Sequence, residues 1–395
     1  MSSSKGPSAA DQQLIDHAQR HGYTVTVKQL ATWRSHGLLP GNIPGGGLGR
    51  GRGSTSRPAA HSFDLLLGLA RHAGPGKRPS DLALLLFGEG LPVPEATVRS
   101  AFRATTAITI PGEGNDPAEN LDDRLDDIDG HLADTGPVLT LVPARARRID
   151  EGIARAVRTA SGAWPPPDLA DLDDNPEPTP LTPQGATLAA VTATLTGSLS
   201  LMEMGSLLRA MTPGLPAPIA SLVETTGQDV LEDTAAAVID PDGTLTFLPD
   251  GDARDFLRDL ADATPLQDLA TTWKTAQEVR EWALDLCERT EAELDAGHLG
   301  EAVNEWYAGR HLLSGQAVLE ALRDRRWSPS MRAFDALRLL FLRQMLLVLG
   351  SIAPGCQWHV LGMPRVLPPP VRHLLADIID REPVPVEPTG DRAVS

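Results

Sequence analysis

The chain has 395 residues, of which 41% are hydrophobic, and its formal net charge is −17. This length suggests about two or three domains, and the hydrophobic content excludes a chain that is disordered throughout. Residues 1–105 hold 12 Lys/Arg and 6 Asp/Glu, whereas residues 106–395 hold 23 and 46, so the sequence predicts that its N-terminal end meets a polyanion.

The N-terminal part is predicted to contain short helices around one glycine-rich loop. Helical spacing predicts a first helix over residues 12–21. Thr26 can cap a second helix over Val27–His36, which Gly37 and Pro40 end. Residues 41–53 form a wing-like loop, and further helices are expected over residues 62–72, 82–87 and 95–105.

The second helix and the loop after it carry the strongest functional signal. Leu30 and Trp33 share one side of this helix. The order of helix, turn, capped helix, basic loop and helix predicts a winged helix-turn-helix domain, with the second helix in the major groove and the loop on phosphates. A helical hairpin with a loop that binds nothing is the alternative. The predicted DNA-binding residues are Thr26, Lys28, Gln29, Thr32, Arg34, Ser35, Arg50, Arg52 and Arg57.

Residues 26–40 also match a family pattern of Ser/Thr-Val-x-x-Leu, an aromatic residue, and Gly-Leu-Leu-Pro. The matching residues are Thr26-Val27-Lys28-Gln29-Leu30, Trp33 and Gly37-Leu38-Leu39-Pro40. The stretch thereby resembles the MerR family of bacterial winged helix-turn-helix regulators, over about residues 10–105. The resemblance implies double-stranded DNA as partner and a role in transcription regulation.

The sequence departs from that family in two places. Ala31 and Thr32 occupy the positions where the family has an arginine followed by an aromatic residue. The family's arginine contacts phosphate, so we expect the wing arginines to contribute more of the affinity here. The family dimerises through one long helix, whereas the helix over residues 95–105 is short and Pro111-Gly112 follows it. A homo-oligomer, which we expect, must therefore use other surfaces.

The remainder of the chain predicts an acidic linker over residues 106–137 and a helical effector or oligomerisation domain over residues 138–382. A short strand is indicated over residues 138–142, and Asp240-Pro241-Asp242-Gly243 favours a hairpin over residues 239–248. Residues 1–10 and 383–395 are predicted to be loose tails. The fold class is therefore mainly α, with an N-terminal winged helix-turn-helix domain and a larger all-helical domain that has at most one short hairpin. Helices in the larger domain are expected over residues 144–161, 187–211, 253–263, 265–297, 300–324 and 330–350.

Composition gives no sign of secretion or of a membrane span. Cys287 and Cys356 are far apart and belong to no CxxC pair, which disfavours a disulfide framework or a zinc ribbon. The N-terminus is polar, and the apolar stretches 185–202 and 330–351 contain Thr, Ser and Gly or charged residues. We expect a cytoplasmic, nucleoid-associated protein without a membrane partner.

Other residue groups have a chemical interpretation and a structural alternative. Asp122–Asp127 contains a DDxxD pattern that can hold Mg²⁺, but no second acidic motif accompanies it, and a solvated acidic segment is the alternative. His17 and His21 lie four residues apart without a third ligand nearby in sequence. The acidic turns at Asp240 and Asp250 lack the glutamate of a calcium loop. Trp273, Trp282 and Trp306 either frame a pocket for a small-molecule effector or pack in the core.

These observations predict a sequence-specific DNA-binding transcription regulator that is not an enzyme and needs no cofactor. Its acidic helical body would sense an effector, dimerise or recruit a protein partner. Two alternatives stay open: a DNA-binding accessory of recombination or partition, or an antitoxin-like partner, with the same N-terminal fold; and an enzyme in the helical body that uses the Asp122–Asp127 segment.

Overall fold

A computed structural model describes residues 7–47, 54–74, 76–106, 143–159, 205–207, 209–210, 253–310, 313–323, 327–352 and 367–379. These residues are mainly helical, as the sequence predicts. The chain divides into two compact units. The first contains Met1–Ile108, Arg254–Gln277 and Arg326–Leu340, and the second contains Thr109–Ala253, Glu278–Arg325 and Phe341–Ser395.

The helices and strands follow one another with short connections in the N-terminal part of the chain. The two strands pair antiparallel, with Ile43 opposite Arg57 and Gly47 opposite Ser54. The elements are α1 (Ala9–Arg20), α2 (Val27–Ser35), β1 (Ile43–Gly47), β2 (Ser54–Arg57), α3 (Ser62–His72), α4 (Pro79–Gly88), α5 (Glu95–Ala104), α6 (Ala144–Thr159), α7 (Ala253–Ala263), α8 (Leu266–Asp295), α9 (Glu301–Gly309), α10 (Leu313–Arg323), α11 (Pro329–Ile352), α12 (Pro369–Leu374) and α13 (Ala376–Ile379).

Side-chain caps begin the first two helices. The Ser8 hydroxyl accepts a hydrogen bond from the Asp11 backbone N–H at 3.1 Å, and Ala10 is buried. Ser8 therefore caps α1, and residues 9 and 10 belong to it, although the sequence predicts a loose tail over residues 1–10. In α2, Thr26 Oγ1 accepts from the Gln29 backbone N–H at 3.2 Å, as the sequence predicts for a threonine cap.

Gly37 ends α2 for two reasons. Its φ of +69° lies in the left-handed region that favours glycine. A Cβ atom at this position would also lie 2.6 Å from Thr97 Oγ1, and that hydroxyl donates to the Gly37 carbonyl oxygen at 3.0 Å. The turn after α2 is thus fixed against α5, and the following Leu38 and Leu39 are buried.

The first unit has a leucine-rich core. Helix α1 packs against α3, and α4 packs against α3 and α5. The buried side chains recur at helical spacing and remove apolar surface from water, which is the dominant favourable term in folding. They include Leu14, Leu30, Trp33, Leu65, Leu66, Leu69, Leu84, Leu86, Val98 and Phe102.

Segments from the C-terminal half complete the first unit. Arg99 Nη1 of α5 donates to the carbonyl oxygens of Ala261 and Thr264, at 2.7 and 3.0 Å. The rings of Phe102 and Trp273 lie 6.3 Å apart edge to face, and the Arg332 guanidinium lies 4.4 Å from the Trp273 ring centroid. The first unit therefore extends beyond residues 11–105, because α7 and parts of α8 and α11 belong to it.

The second unit has its own core, formed where α6, α8, α9 and α10 pack together. One predicted helix, residues 300–324, is broken: α9 ends at Gly309 and α10 begins at Leu313. At the break the Arg310 side chain is buried and its Nε donates to both carboxylate oxygens of Asp150, at 3.3 and 3.1 Å. This ion pair turns the arginine inward instead of onto a solvent-facing helix surface.

Several sequence predictions lie outside the described residues. They are the acidic linker after residue 106, the strand over residues 138–142, the hairpin over residues 239–248, most of the helix over residues 187–211, and the C-terminal tail. Among the residues that the structure describes, no helix is both long and apolar enough to cross a membrane.

Candidate nucleic-acid interface

Helix α2 has one buried and one exposed side. Leu30 and Trp33 are buried, whereas Lys28, Thr32 and Ser35 are exposed. The Ser35 hydroxyl donates to the Thr32 carbonyl oxygen at 2.8 Å and keeps its lone pairs as acceptors. The sidedness that the sequence predicts for this helix is thus present in the structure.

Two predicted contact residues, Thr26 and Gln29, instead form a capping box. The Thr26 backbone N–H donates to Gln29 Oε1 at 2.8 Å, and the Thr26 hydroxyl donates to the same oxygen at 2.9 Å. A glutamine that reads adenine uses both its amide oxygen and its amide nitrogen. While the box is formed, the Gln29 oxygen is already occupied, so this pair begins the helix and is poorly placed to read a base.

Arg34, also a predicted contact, lies within an internal polar cluster. Its Nη2 donates to Asp11 Oδ1 at 2.6 Å and to Asn42 Oδ1 at 3.0 Å, and its side chain is 21% exposed. Burial by itself raises the pKa of Asp11, but hydrogen bonds from Ser8, Asn42 and Arg34 outweigh it and lower that pKa. Arg34 therefore braces α1, α2 and the segment before β1.

The hairpin β1–β2 brings one predicted phosphate contact to the surface. Arg57 ends β2 and is exposed. Ile43, its partner across the ladder, is 39% exposed. Arg50 and Arg52 lie between the two strands, outside the described residues. The position of this hairpin directly after α2 matches the order predicted for a wing.

The two units differ in net charge slightly more than residues 1–105 and 106–395 do. The first unit contains 18 Lys/Arg and 11 Asp/Glu, a net charge of +7. The second contains 17 and 41, a net charge of −24. The excess of positive charge therefore belongs to the first unit and the excess of negative charge to the second.

The histidine pair on α1 lies beside an aromatic ring of α3. The rings of His17 and His21 lie 4.5 Å apart, and the His17 ring lies 4.8 Å from Phe63. Burial lowers the pKa of His17, and the neighbouring His21 and Arg20 lower it further. No group of three His, Cys, Asp or Glu side chains suited to a metal ion occurs in the part of the chain that is described. The segment Asp122–Asp127 and the turns at Asp240 and Asp250 lie outside that part.

The three tryptophans are divided between the two units. Trp273 is buried in the first unit, whereas Trp282 and Trp306 belong to the second. Trp306 packs in the core, and its Nε1 donates to Asp150 Oδ1 at 2.8 Å. A cavity of about 170 Å³, including its open mouth, lies beside Trp306 and Arg310. Arg310 Nη2 lies 3.1 Å from Asp150 Oδ2, and the buried Nη1 has no hydrogen-bond partner among the described residues.

Sequence reasoning missed three features of this surface. The capping box could have been found, because Thr26-x-x-Gln29 is its signature. The pairing of Arg34 with Asp11 joins residues 23 positions apart and has no local signal. Val27 is 41% exposed at the first position of α2, and hydrophobic periodicity gives no signal for an apolar residue that faces solvent.

Comparison with known proteins gives no match: no family model, no curated protein and no solved structure is significantly similar to this chain.

Proposed function

We propose that the first unit is a winged helix-turn-helix domain that binds double-stranded DNA sequence-specifically, and that the protein regulates transcription. In this proposal α2 enters the major groove with Lys28 and Thr32 toward the bases. The hairpin β1–β2 follows the phosphates with Arg57 and with Arg50 and Arg52 from its connecting segment. The resemblance of residues 26–40 to the MerR pattern supports the same assignment.

One observation supports the proposal most strongly: an exposed polar helix face is directly followed by a hairpin with an exposed arginine. Helix α2 has 9 residues, so it is about 13 Å long, comparable to the width of a major groove. The capping box and the Arg34–Asp11 pair hold it rigidly. A rigid element places its side chains with little loss of entropy on binding.

The net charges of the two units also support DNA binding by the first unit. DNA carries one negative charge per about 1.7 Å of helix axis, and its affinity for protein depends on phosphate neutralisation. The first unit has the net positive charge that this requires, and the second does not.

The test begins with selection of bound fragments from random duplex DNA by the full-length protein. Affinity for the selected duplex is then measured against salt concentration for wild type and for the triple variant R50A/R52A/R57A. Each lost phosphate contact lowers the salt slope by about 0.9, so the triple variant is expected to lower it by about 2 to 3. A selected site with two symmetric half-sites would support a dimer on DNA.

The matched control removes the same number of exposed arginines from the second unit, as R147A/R155A/R158A on α6. This control is expected to leave the salt slope unchanged. Failure to select any duplex overturns the proposal, and equal slopes for the two triple variants overturn the assignment of the hairpin.

A further inference from the structure

We propose that Val27 is a specificity-determining residue that contacts the C5-methyl group of a thymine in the major groove. The inference rests on the proposed DNA-binding function and adds a particular base to it. In this inference the first turn of α2 contacts the bases through an apolar side chain as well as through polar ones.

The core of the first unit does not bury the valine at this position. Val27 is 41% exposed, although Val25 and Leu30 on either side of it in sequence are 6% and 0% exposed. A β-branched residue is a weaker helix former than alanine, so it gives no local advantage at the start of α2. An exposed apolar side chain that contributes little to the core is available for an apolar partner.

In the first turn of α2, Val27 and Lys28 are the side chains that remain available to contact a base. Thr26 and Gln29 bond to each other in the capping box. The N-terminal residues of a recognition helix are those that meet base edges. In the major groove the thymine methyl is the apolar feature of a base pair, whereas the guanine acceptors suit a lysine such as the exposed Lys28.

The cap also holds the backbone on both sides of Val27. Thr26 and Gln29 bracket Val27 with two backbone hydrogen bonds, at 2.8 and 3.2 Å. A β-branched side chain on a helix has one strongly preferred χ1 rotamer. Little rotamer freedom is then lost when its methyl groups meet a thymine.

The experiment replaces each thymine of the selected duplex in turn by deoxyuridine, which removes only the C5-methyl group. At one thymine, wild type is expected to lose affinity about fourfold, the effect of one buried methyl group. The variant V27A is expected to bind the thymine and uracil duplexes equally. V27T keeps one methyl group on the same branched frame and is expected to retain part of the discrimination.

The outcomes separate the inference from the function on which it rests. If the protein binds no duplex, the proposed function fails and the inference fails with it. If wild type binds DNA but no thymine-to-uracil change distinguishes it from V27A, the inference is overturned and the proposed function stands. Thermal unfolding of V27A and V27T serves as a folding control, and an unchanged melting temperature is expected because the side chain is exposed.

Discussion

Two regions of the first unit use basic side chains in opposite ways. On α5, Arg99 and Arg103 are directed to groups of the same unit: the carbonyl oxygens at the end of α7 and the carboxylate of Asp262. On α2 and the hairpin, Lys28 and Arg57 are exposed. The first region stabilises the unit, and the second leaves cationic groups at the surface.

The difference shows that net charge alone does not locate a binding surface. Arg34 lies on α2 between exposed polar residues, yet it bonds to Asp11 and Asn42. Its role therefore resembles that of Arg99 more than that of Lys28. An arginine that already bonds to a group of its own unit has a structural role. An arginine that is exposed at the surface is available to a polyanion.

Trp273→Ala is expected to have the largest effect. Trp273 is 3% exposed, and its ring contacts Phe102 of α5 and the Arg332 guanidinium. Loss of such a buried aromatic side chain costs about 3–5 kcal/mol. Hydrogen exchange of the α5 amides should accelerate accordingly, because α5 loses the partner that covers it.

Met331→Ala is the control for this variant, since Met331 lies in the same C-terminal part of the first unit but is 40% exposed. It is expected to change stability by less than about 0.5 kcal/mol. Wild-type protection of the α5 amides in W273A would show that the C-terminal segments do not stabilise the N-terminal helices.

Arg99→Ala is expected to destabilise the first unit by about 1.5–3 kcal/mol, the range for hydrogen bonds that involve a charged group. The Arg99 side chain is 17% exposed and caps two carbonyl oxygens at the end of α7. Arg103→Ala removes an ion pair whose side chains are 47% and 46% exposed, and less than about 1 kcal/mol is expected. Chemical denaturation of both variants measures the contrast, and equal losses would contradict it.

Arg34→Ala and Lys28→Ala are expected to separate stability from DNA affinity. R34A should lower the free energy of unfolding by about 1–2 kcal/mol, because Asp11 and Asn42 lose a partly buried partner. K28A should leave stability within about 0.5 kcal/mol of wild type and weaken binding to the selected duplex. A fall in the salt slope for fully folded R34A would instead place Arg34 on the phosphates.

The ion pair of Arg34 with Asp11 makes the free energy of unfolding depend on pH. The pKa of Asp11 in the folded protein is lowered from 3.8, so its contribution to stability is complete above that value. The contribution is lost as pH falls below 3.8 through the lowered folded pKa. Acid titration of the unfolding free energy should therefore show a smaller loss in R34A than in wild type over this window.

The smallest expected effect concerns the second unit. Burial raises the pKa of the Cys287 thiol to about 12, so little reactive thiolate forms at neutral pH. In a C356S variant, labelling of Cys287 by a thiol reagent is expected to be slow between pH 7 and pH 9 and fast after unfolding. Rapid labelling of the folded protein, with a rate that levels off near pH 9, would instead show an accessible thiol of ordinary pKa.

Local features of this fold were predictable from sequence, and distant pairings were not. Thr26 and Gly37 identify the ends of α2, because caps depend on a few adjacent residues. The helices over residues 62–72 and 253–263 have the predicted bounds for the same kind of reason. The contact between Phe102 and Trp273 joins segments 171 residues apart, and periodicity carries no information about such a partner.

The candidate site shows the same limit. Helical spacing places Lys28, Thr32 and Ser35 opposite Leu30 and Trp33, and the structure has them so. Spacing could not reveal that Arg34 meets Asp11 or that it also bonds to Asn42. Each of these side chains is polar and could face solvent equally well, so only the folded geometry decides between an internal and an external partner.

The late position of α7, α8 and α11 in the chain has a consequence for protein synthesis. Residues 1–106 leave the ribosome before residues 254–277 and 326–340, which belong to the same unit. At about 5–20 residues per second, the ribosome needs roughly 10–50 s to make the intervening chain. During this interval the α5 surface that Phe102 and Arg99 share lacks its cover, so the nascent N-terminal segment depends on the rest of translation for its final stability.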